Sequence, residues 1–230
     1  MRVKMSLVCL VALGVLIPSA GAEPYWYAYE GNDLPENEGW ERFWGNDDGA
    51  FEGDGSIRTV ENGVLTMDSM YSLRTYDYAC HYLYGELDPD PGELFVAEWR
   101  AMVEESEGDG RDSMMVVATD EAMQLAFGLF PDHIESKWED DVTLPVSPGE
   151  FHDYRIESWD MQTYDLYIDD ALAHQGTFWQ GLLLSKFAWG DGVRGASSLA
   201  QWDYVRYGVL PEPCSITLII IMCACATRRA

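Results

Sequence analysis

The sequence predicts an all-β fold, a sandwich or barrel. Three observations carry this expectation. No long stretch shows the 3.6-residue apolar period of a helix. Short runs of β-branched and aromatic residues recur between clusters of Gly, Pro, Asp and Asn, the spacing of a many-stranded β domain. One such pair of runs is joined by Asn62-Gly63, residues that tolerate the positive φ angles of a tight hairpin turn.

The elements follow in order. Residues 23–55 are rich in turn formers and acids, and read as one edge strand plus long loops. "SIRTVENGVLTMDS" is a hairpin, with strands Ile57–Val60 and Val64–Met67. "LFVAEWRAMVEE" alternates Phe95, Ala97, Trp99 and Ala101 against Val96, Glu98, Arg100 and Met102. "SMMVVATD" and "MQLAFGLF" form a second pair joined at Asp120-Glu121. "FHDYRIESWD" and "YDLYIDDALA" form a third, with Leu166 and Ile168 on one face and Asp165, Tyr167 and Asp169 on the other. "AQWDYVRYGVL" reads as the last core strand, Trp202, Tyr204 and Arg206 alternating against Asp203, Val205 and Tyr207.

The two ends differ from the middle. Arg2 and Lys4, the apolar run Met5 to Ile17 and the small-x-small triplet Ala20-Gly21-Ala22 have the order of a secretory signal, residues 1–22. The alternative is a buried N-terminal helix. The chain closes with Pro211-Glu212-Pro213, an uncharged run from Cys214 to Thr227, and Arg228-Arg229. That run is about 14 residues, short of the roughly 17–25 that span a bilayer core as a helix. This tail, residues 211–230, resembles the PEP-CTERM sorting signal of bacterial envelope proteins. The resemblance implies a membrane exosortase as partner and a secreted or cell-envelope destination. The tail departs from that pattern in carrying cysteines and lacking a leucine- and glycine-rich helix. A plain C-terminal membrane anchor, or an apolar stub, is the alternative.

Charge excludes several function classes. All 40 Asp and Glu lie between residues 23 and 213, while four of the 14 Lys and Arg (Arg2, Lys4, Arg228 and Arg229) lie outside that span, so the mature domain carries about −30. Such a surface repels nucleic acid and anionic lipid. It attracts cations, above all hard ones that take oxygen ligands. Of five cysteines only Cys80 lies in the domain, which leaves no internal disulfide there. A buried thiol is the expected role of Cys80, with an intermolecular bridge as the alternative.

Three segments in order carry a family resemblance. "ENGVLTMDS", "GEFHDYRIESWDMQTYDLYIDDALA" and "WDYVRYG" resemble the early hairpin, the paired central strands and the closing strand of the concanavalin A-like lectin/glucanase superfamily, over roughly residues 40–208. The last segment is similar to the ending of laminarinase-like glycoside hydrolases. The resemblance implies a two-sheet antiparallel jelly-roll sandwich over residues 23–210, with a signal helix and a short apolar C-terminal helix outside the fold. Fold does not supply function. The hydrolases of that branch carry a Glu-x-Asp-x-x-Glu strand between the segments matching "AEWRA" and "FHDY". Retaining chemistry places two carboxylates about 5 Å apart, as alternate residues of one strand face do. Here "MMVVATDEAMQLAFGLF" offers only the adjacent Asp120 and Glu121, and "HIESKWEDD" lacks the pattern. The expectation is therefore a non-catalytic module. No His pair with metal spacing, nucleophile elbow or phosphate loop is present, and the Gly-Asp-Gly turns lack EF-hand spacing.

Two sites are expected. In the laminarinase-like branch a structural calcium sits on the convex side, and the resemblance implies Asp203, with Glu30 and Gly31 as first-strand partners; a solvated aspartate is the plainer alternative. Sugars stack on exposed aromatic rings flanked by polar groups. Among the nine tryptophans, Trp99, Trp159 and Trp202 read as core, and Trp138, Trp179 and Trp189 as surface candidates beside loops. The leading expectation is a secreted, envelope-sorted module binding polysaccharide. The rivals are a structural envelope or matrix protein without ligand, and a divergent glycoside hydrolase.

Overall fold

The computed structural model describes residues 27–44, 57–70, 80–84, 87, 93–107, 114–120, 122–137, 142–181, 186–192 and 196–210, with backbone only at 42–44, 57 and 80–84. The signal segment 1–22, the tail 211–230 and Trp138 lie outside these residues.

The strands are β1 (Tyr27–Tyr29), β2 (Glu41–Trp44), β3 (Ile57–Glu61), β4 (Val64–Asp68), β5 (Cys80–Tyr84), β6 (Leu94–Glu107), β7 (Met114–Asp120) and β8 (Met123–Leu129). Then come β9 (His133–Lys137), β10 (Thr143–Pro145), β11 (His152–Ser158), β12 (Thr163–Ile168), β13 (Ala171–Thr177), β14 (Trp179–Gln180), β15 (Lys186–Asp191) and β16 (Ser197–Leu210). A single 3-10 turn, Pro35–Glu38, separates β1 from β2. The first sheet runs β13-β12-β11-β6-β16-β4-β3, with β1 also on β16; the second runs β10-β9-β8-β7-β15-β5-β2, with β14 on β8. All pairings are antiparallel. The two sheets stack face to face as a jelly-roll sandwich.

The predicted hairpin turns hold, with the chemistry the sequence implies. Asn62 and Gly63 have φ of 55° and 84°, and Glu61 pairs with Val64, which is a two-residue turn with both central φ positive. Asp169 and Asp170 form a second such turn between Ile168 and Ala171, at φ of 50° and 63°. Aspartate tolerates this left-handed region better than most residues. The β7–β8 connection is shifted by a residue from the sequence expectation: Asp120 is still in the strand, opposite Met123.

Inward side chains of both sheets make one core. Phe95, Ala97, Trp99 and Ala101 of β6 are buried as their alternation predicts. The centre is aromatic and crosses between the sheets. Trp189 of β15 lies 5.2 Å from Tyr29, 5.6 Å edge-on from Trp40 and 5.0 Å from Trp202.

Three sequence expectations are corrected. Trp189 is fully buried, because alternation along β15 turns Phe187, Trp189 and Asp191 inward together. Trp159 is 52% exposed: it follows the last residue of β11 and sits in the β11–β12 connection, outside the strand register. On β16 the register shifts between Trp202 and Tyr204. That bulge at Asp203 puts Trp202 on the same inward face as Val205 and Tyr207, all three fully buried, and turns Tyr204 and Arg206 outward.

Candidate functional site

The outward face of the second sheet is where the catalytic strand of the resembling hydrolases would have to present its acids. Leu125, Phe127 and Leu129 of β8 point into the core, so Gln124, Ala126 and Gly128 face outward. Their cross-strand partners on β7 are Thr119, Val117 and Met115, and beyond these on β15 stand Lys186, Ala188 and Gly190. None of these nine residues carries a carboxylate. Among the described residues of β7 to β10, Glu135 is the outward acid, and Lys137 lies 3.2 Å from it. A pair of carboxylates about 5 Å apart is not assembled on these strands.

Most of these outward positions are buried, Gln124 at 3% and Ala126 at 0% exposure among them. Trp179 stands at their rim. It pairs with Gln124 and so shares the outward face, and it is 42% exposed. Phe178 before it is buried and anchors the segment. The backbone of Gly181 lies on the Gln124 side chain: a Cβ there would come within 2.9 Å of the Gln124 Cβ. Of the three tryptophans singled out in the sequence, Trp179 is on the surface, Trp189 is core, and Trp138 lies outside the described residues.

The calcium candidates come together only in part. Gly31, at φ of 69°, packs against the carbonyl oxygens of Gly63 and Asp203, so the first-strand turn and Asp203 are in contact. Glu30 does not fit as a side-chain ligand, because both its oxygens accept hydrogen bonds from Arg206, each at 2.7 Å. Asp203 lies 3.3 Å from the Arg100 Nε. Among the described residues no group of three His, Cys, Asp or Glu converges as a metal cage.

Charge on the outward face of the first sheet is organised as a network that sequence reasoning did not single out. Arg100 bonds Asp153 at 2.5 Å, and the Tyr204 hydroxyl donates to the other Asp153 oxygen at 2.9 Å. Burial, the hydrogen bond to Asp153 and its negative charge push the Tyr204 phenol well above its usual value. The start of "FHDY" is tied to the "DD" turn. His152 Nδ1–H donates to Asp169 at 2.7 Å, the Asp153 amide donates to the same carboxylate at 3.0 Å, and His152 Nε2 lies 3.1 Å from both the amide and the carbonyl oxygen of Ser147. Partial burial pushes the Asp169 carboxyl up. The His152 hydrogen bond, the Asp153 amide and the charges of His152 and Arg100 outweigh it and hold the carboxyl below its ordinary 3.8. A depressed carboxyl contributes stability that is present above the unfolded value and lost as pH falls through the folded one. Asp169→Asn is therefore expected to cost about 1 kcal/mol at pH 7 and to flatten the decline in stability below about pH 4. Urea midpoints of both proteins from pH 3 to 7 measure this; parallel curves would dismiss it.

These features define a class: an antiparallel jelly-roll sandwich in which no pair of carboxylates is assembled on the described outward positions of β7 to β10. No family model matches the chain, and no curated protein sequence matches it. Solved structures do. A carbohydrate esterase from the Shiga toxin-encoding bacteriophage phi24B superposes with a TM-score of 0.55 at 11% identity, over 81% of this chain and 99% of that one. The endo-1,3-beta-glucanase from Streptomyces sioyaensis superposes with a TM-score of 0.52 at 14% identity, over 84% of this chain and 99% of that one. At such identities the likeness is one of fold.

Proposed function

We propose that this chain is a secreted, envelope-sorted, non-catalytic β-sandwich that binds polysaccharide at the exposed Trp179 on the edge of its second sheet. One observation carries the reading. An indole 42% exposed, Trp179, stands at the edge of the second sheet where β14 pairs with β8, while its cross-strand neighbour Gln124 and the adjoining Ala126 are buried beneath it. A sugar ring can lay its apolar face on the exposed indole. Secretion rests on residues 1–22. Sorting rests on Pro211-Glu212-Pro213, the apolar run and Arg228-Arg229, with an exosortase cutting the tail once the membrane has halted it. A structural calcium at Asp203 and the Gly31 turn belongs to the same proposal; it uses main-chain oxygens and requires Arg100 to release Asp203.

The test is a glycan array probed with mature protein purified from its host, with calcium and again with a chelator. Binding is expected to fall about tenfold in Trp179→Ala, the loss of one ring stack of about 1–1.5 kcal/mol. Silence across a broad array would sink the polysaccharide reading and leave a structural envelope protein. Indifference to the chelator removes the calcium. The intact mass of the same sample reads the tail, and retention of residues 214–230 overturns the cleavage.

A further inference from the structure

The outward face of the first sheet holds a pocket of about 290 Å³ that the reading above does not use. Strand register explains its shape. Tyr167, Arg155, Glu98 and Arg206 form one cross-strand row over β12, β11, β6 and β16; Asp153, Arg100 and Tyr204 form the next. The pocket lies between these rows. Tyr167 lines it from one end and Tyr204 from the other, with Glu98 and Arg155 between them. Both rings are fixed in place by guanidinium groups, Arg155 at 4.5 Å from the Tyr167 centroid and Arg206 at 4.4 Å from that of Tyr204.

Hydrogen-bonding capacity around the pocket is unevenly used. Asp153 is satisfied on both oxygens, by Arg100 and by Tyr204. Glu98 is half-buried and, among the described residues, has no hydrogen bond or ion pair. The Arg155 Nε lies 3.1 Å from Glu157 but out of hydrogen-bond geometry. The Glu98 carboxylate lines the pocket and is not enclosed, so its oxygens are open to donors from whatever occupies the pocket, water or a bound hydroxyl. Two vicinal hydroxyls match its two oxygens, a guanidinium donor beside it suits a third sugar oxygen, and tyrosine rings suit the C–H face of a pyranose. Anionic sugars are disfavoured, since Glu98, Asp153 and Asp170 all line the pocket. The volume suits a single ring, because pockets for drug-sized ligands run from about 300 to 1,000 Å³.

We infer that this pocket is a second sugar site, on the sheet opposite Trp179, taking one neutral hexopyranose unit whose vicinal hydroxyls donate to Glu98. The inference rests on the polysaccharide reading and names the sugar class.

The experiment is saturation-transfer NMR on the mature protein. The probes are methyl glycosides of glucose, mannose and galactose, with methyl glucuronide as the anionic control. At least one neutral glycoside is expected to bind. Glu98→Gln, which keeps shape and volume, is expected to weaken it about tenfold. Tyr167→Ala, the second variant, removes one outward wall and is expected to weaken it too. The part of the signal that survives in Trp179→Ala is expected to be the part that Glu98→Gln weakens. No signal from any neutral glycoside, equal binding of the glucuronide, or indifference to both pocket variants overturns the inference. Array binding that is lost in Trp179→Ala but indifferent to Glu98→Gln would overturn the second site and keep the first. Glycoside binding at Glu98 with a silent array would do the reverse.

Discussion

Trp189→Ala is expected to lower stability by about 3–5 kcal/mol, the cost of emptying a large aromatic site in a packed core. The residue touches both layers: Tyr29 at 5.2 Å and Trp202 at 5.0 Å belong to the first sheet, and Trp189 itself to the second. Deleting the indole opens a cavity at the point where the sheets meet. For a domain of 150–250 residues that corresponds to a fall of about 6–20 °C in Tm. Trp179→Ala, on the surface, is expected within about 0.5 kcal/mol of wild type. Thermal unfolding of the two variants side by side separates a core tryptophan from an exposed one. A stable Trp189→Ala protein that had lost only glycan binding would restore Trp189 as a surface candidate and contradict the register of β15.

Gly31→Ala is the second large effect. Its φ of 69° already disfavours a side chain, by about 1–2 kcal/mol. Space makes it worse, since the added Cβ would lie 2.0 Å from the Gly63 carbonyl oxygen and 3.0 Å from that of Asp203. Both are backbone atoms and cannot rotate aside. The first-strand turn must lift off the β3–β4 hairpin, so the expected cost is about 3 kcal/mol. Gly63→Ala is the control. Its φ is 84° but nothing lies within 4 Å, so only the conformational term of about 1 kcal/mol remains. Equal losses in urea unfolding would show that Gly31 serves by its φ alone and not by close approach.

The local rules that decide strands and turns were legible in the sequence. Period-2 alternation placed Phe95, Trp99, Leu166 and Ile168 correctly, and Asn62-Gly63 marked its hairpin. Alternation misread β16, since one extra residue at Asp203 reverses the faces on either side of it. No residue type announces that bulge. The site was less legible. Nothing in the composition separates Trp179 from Trp189: both lie beside loops and polar residues. Burial separates them, and burial depends on which strand lies across the gap. The same holds for the pocket at Glu98. Its residues come from three separated stretches of the chain, β6, the β11–β12 pair and β16, and each looks like an ordinary outward position when read alone.

By itself, then, the sequence determined an acidic all-β sandwich with its main hairpins, because these depend on local alternation, turn chemistry and counting. Only the tertiary structure decided which tryptophans are core, that Glu30 is committed to Arg206, and that Glu98, Arg155, Tyr167 and Tyr204 share one pocket. Those outcomes depend on strand register across β12, β11, β6 and β16, a relation between distant segments that no local pattern encodes.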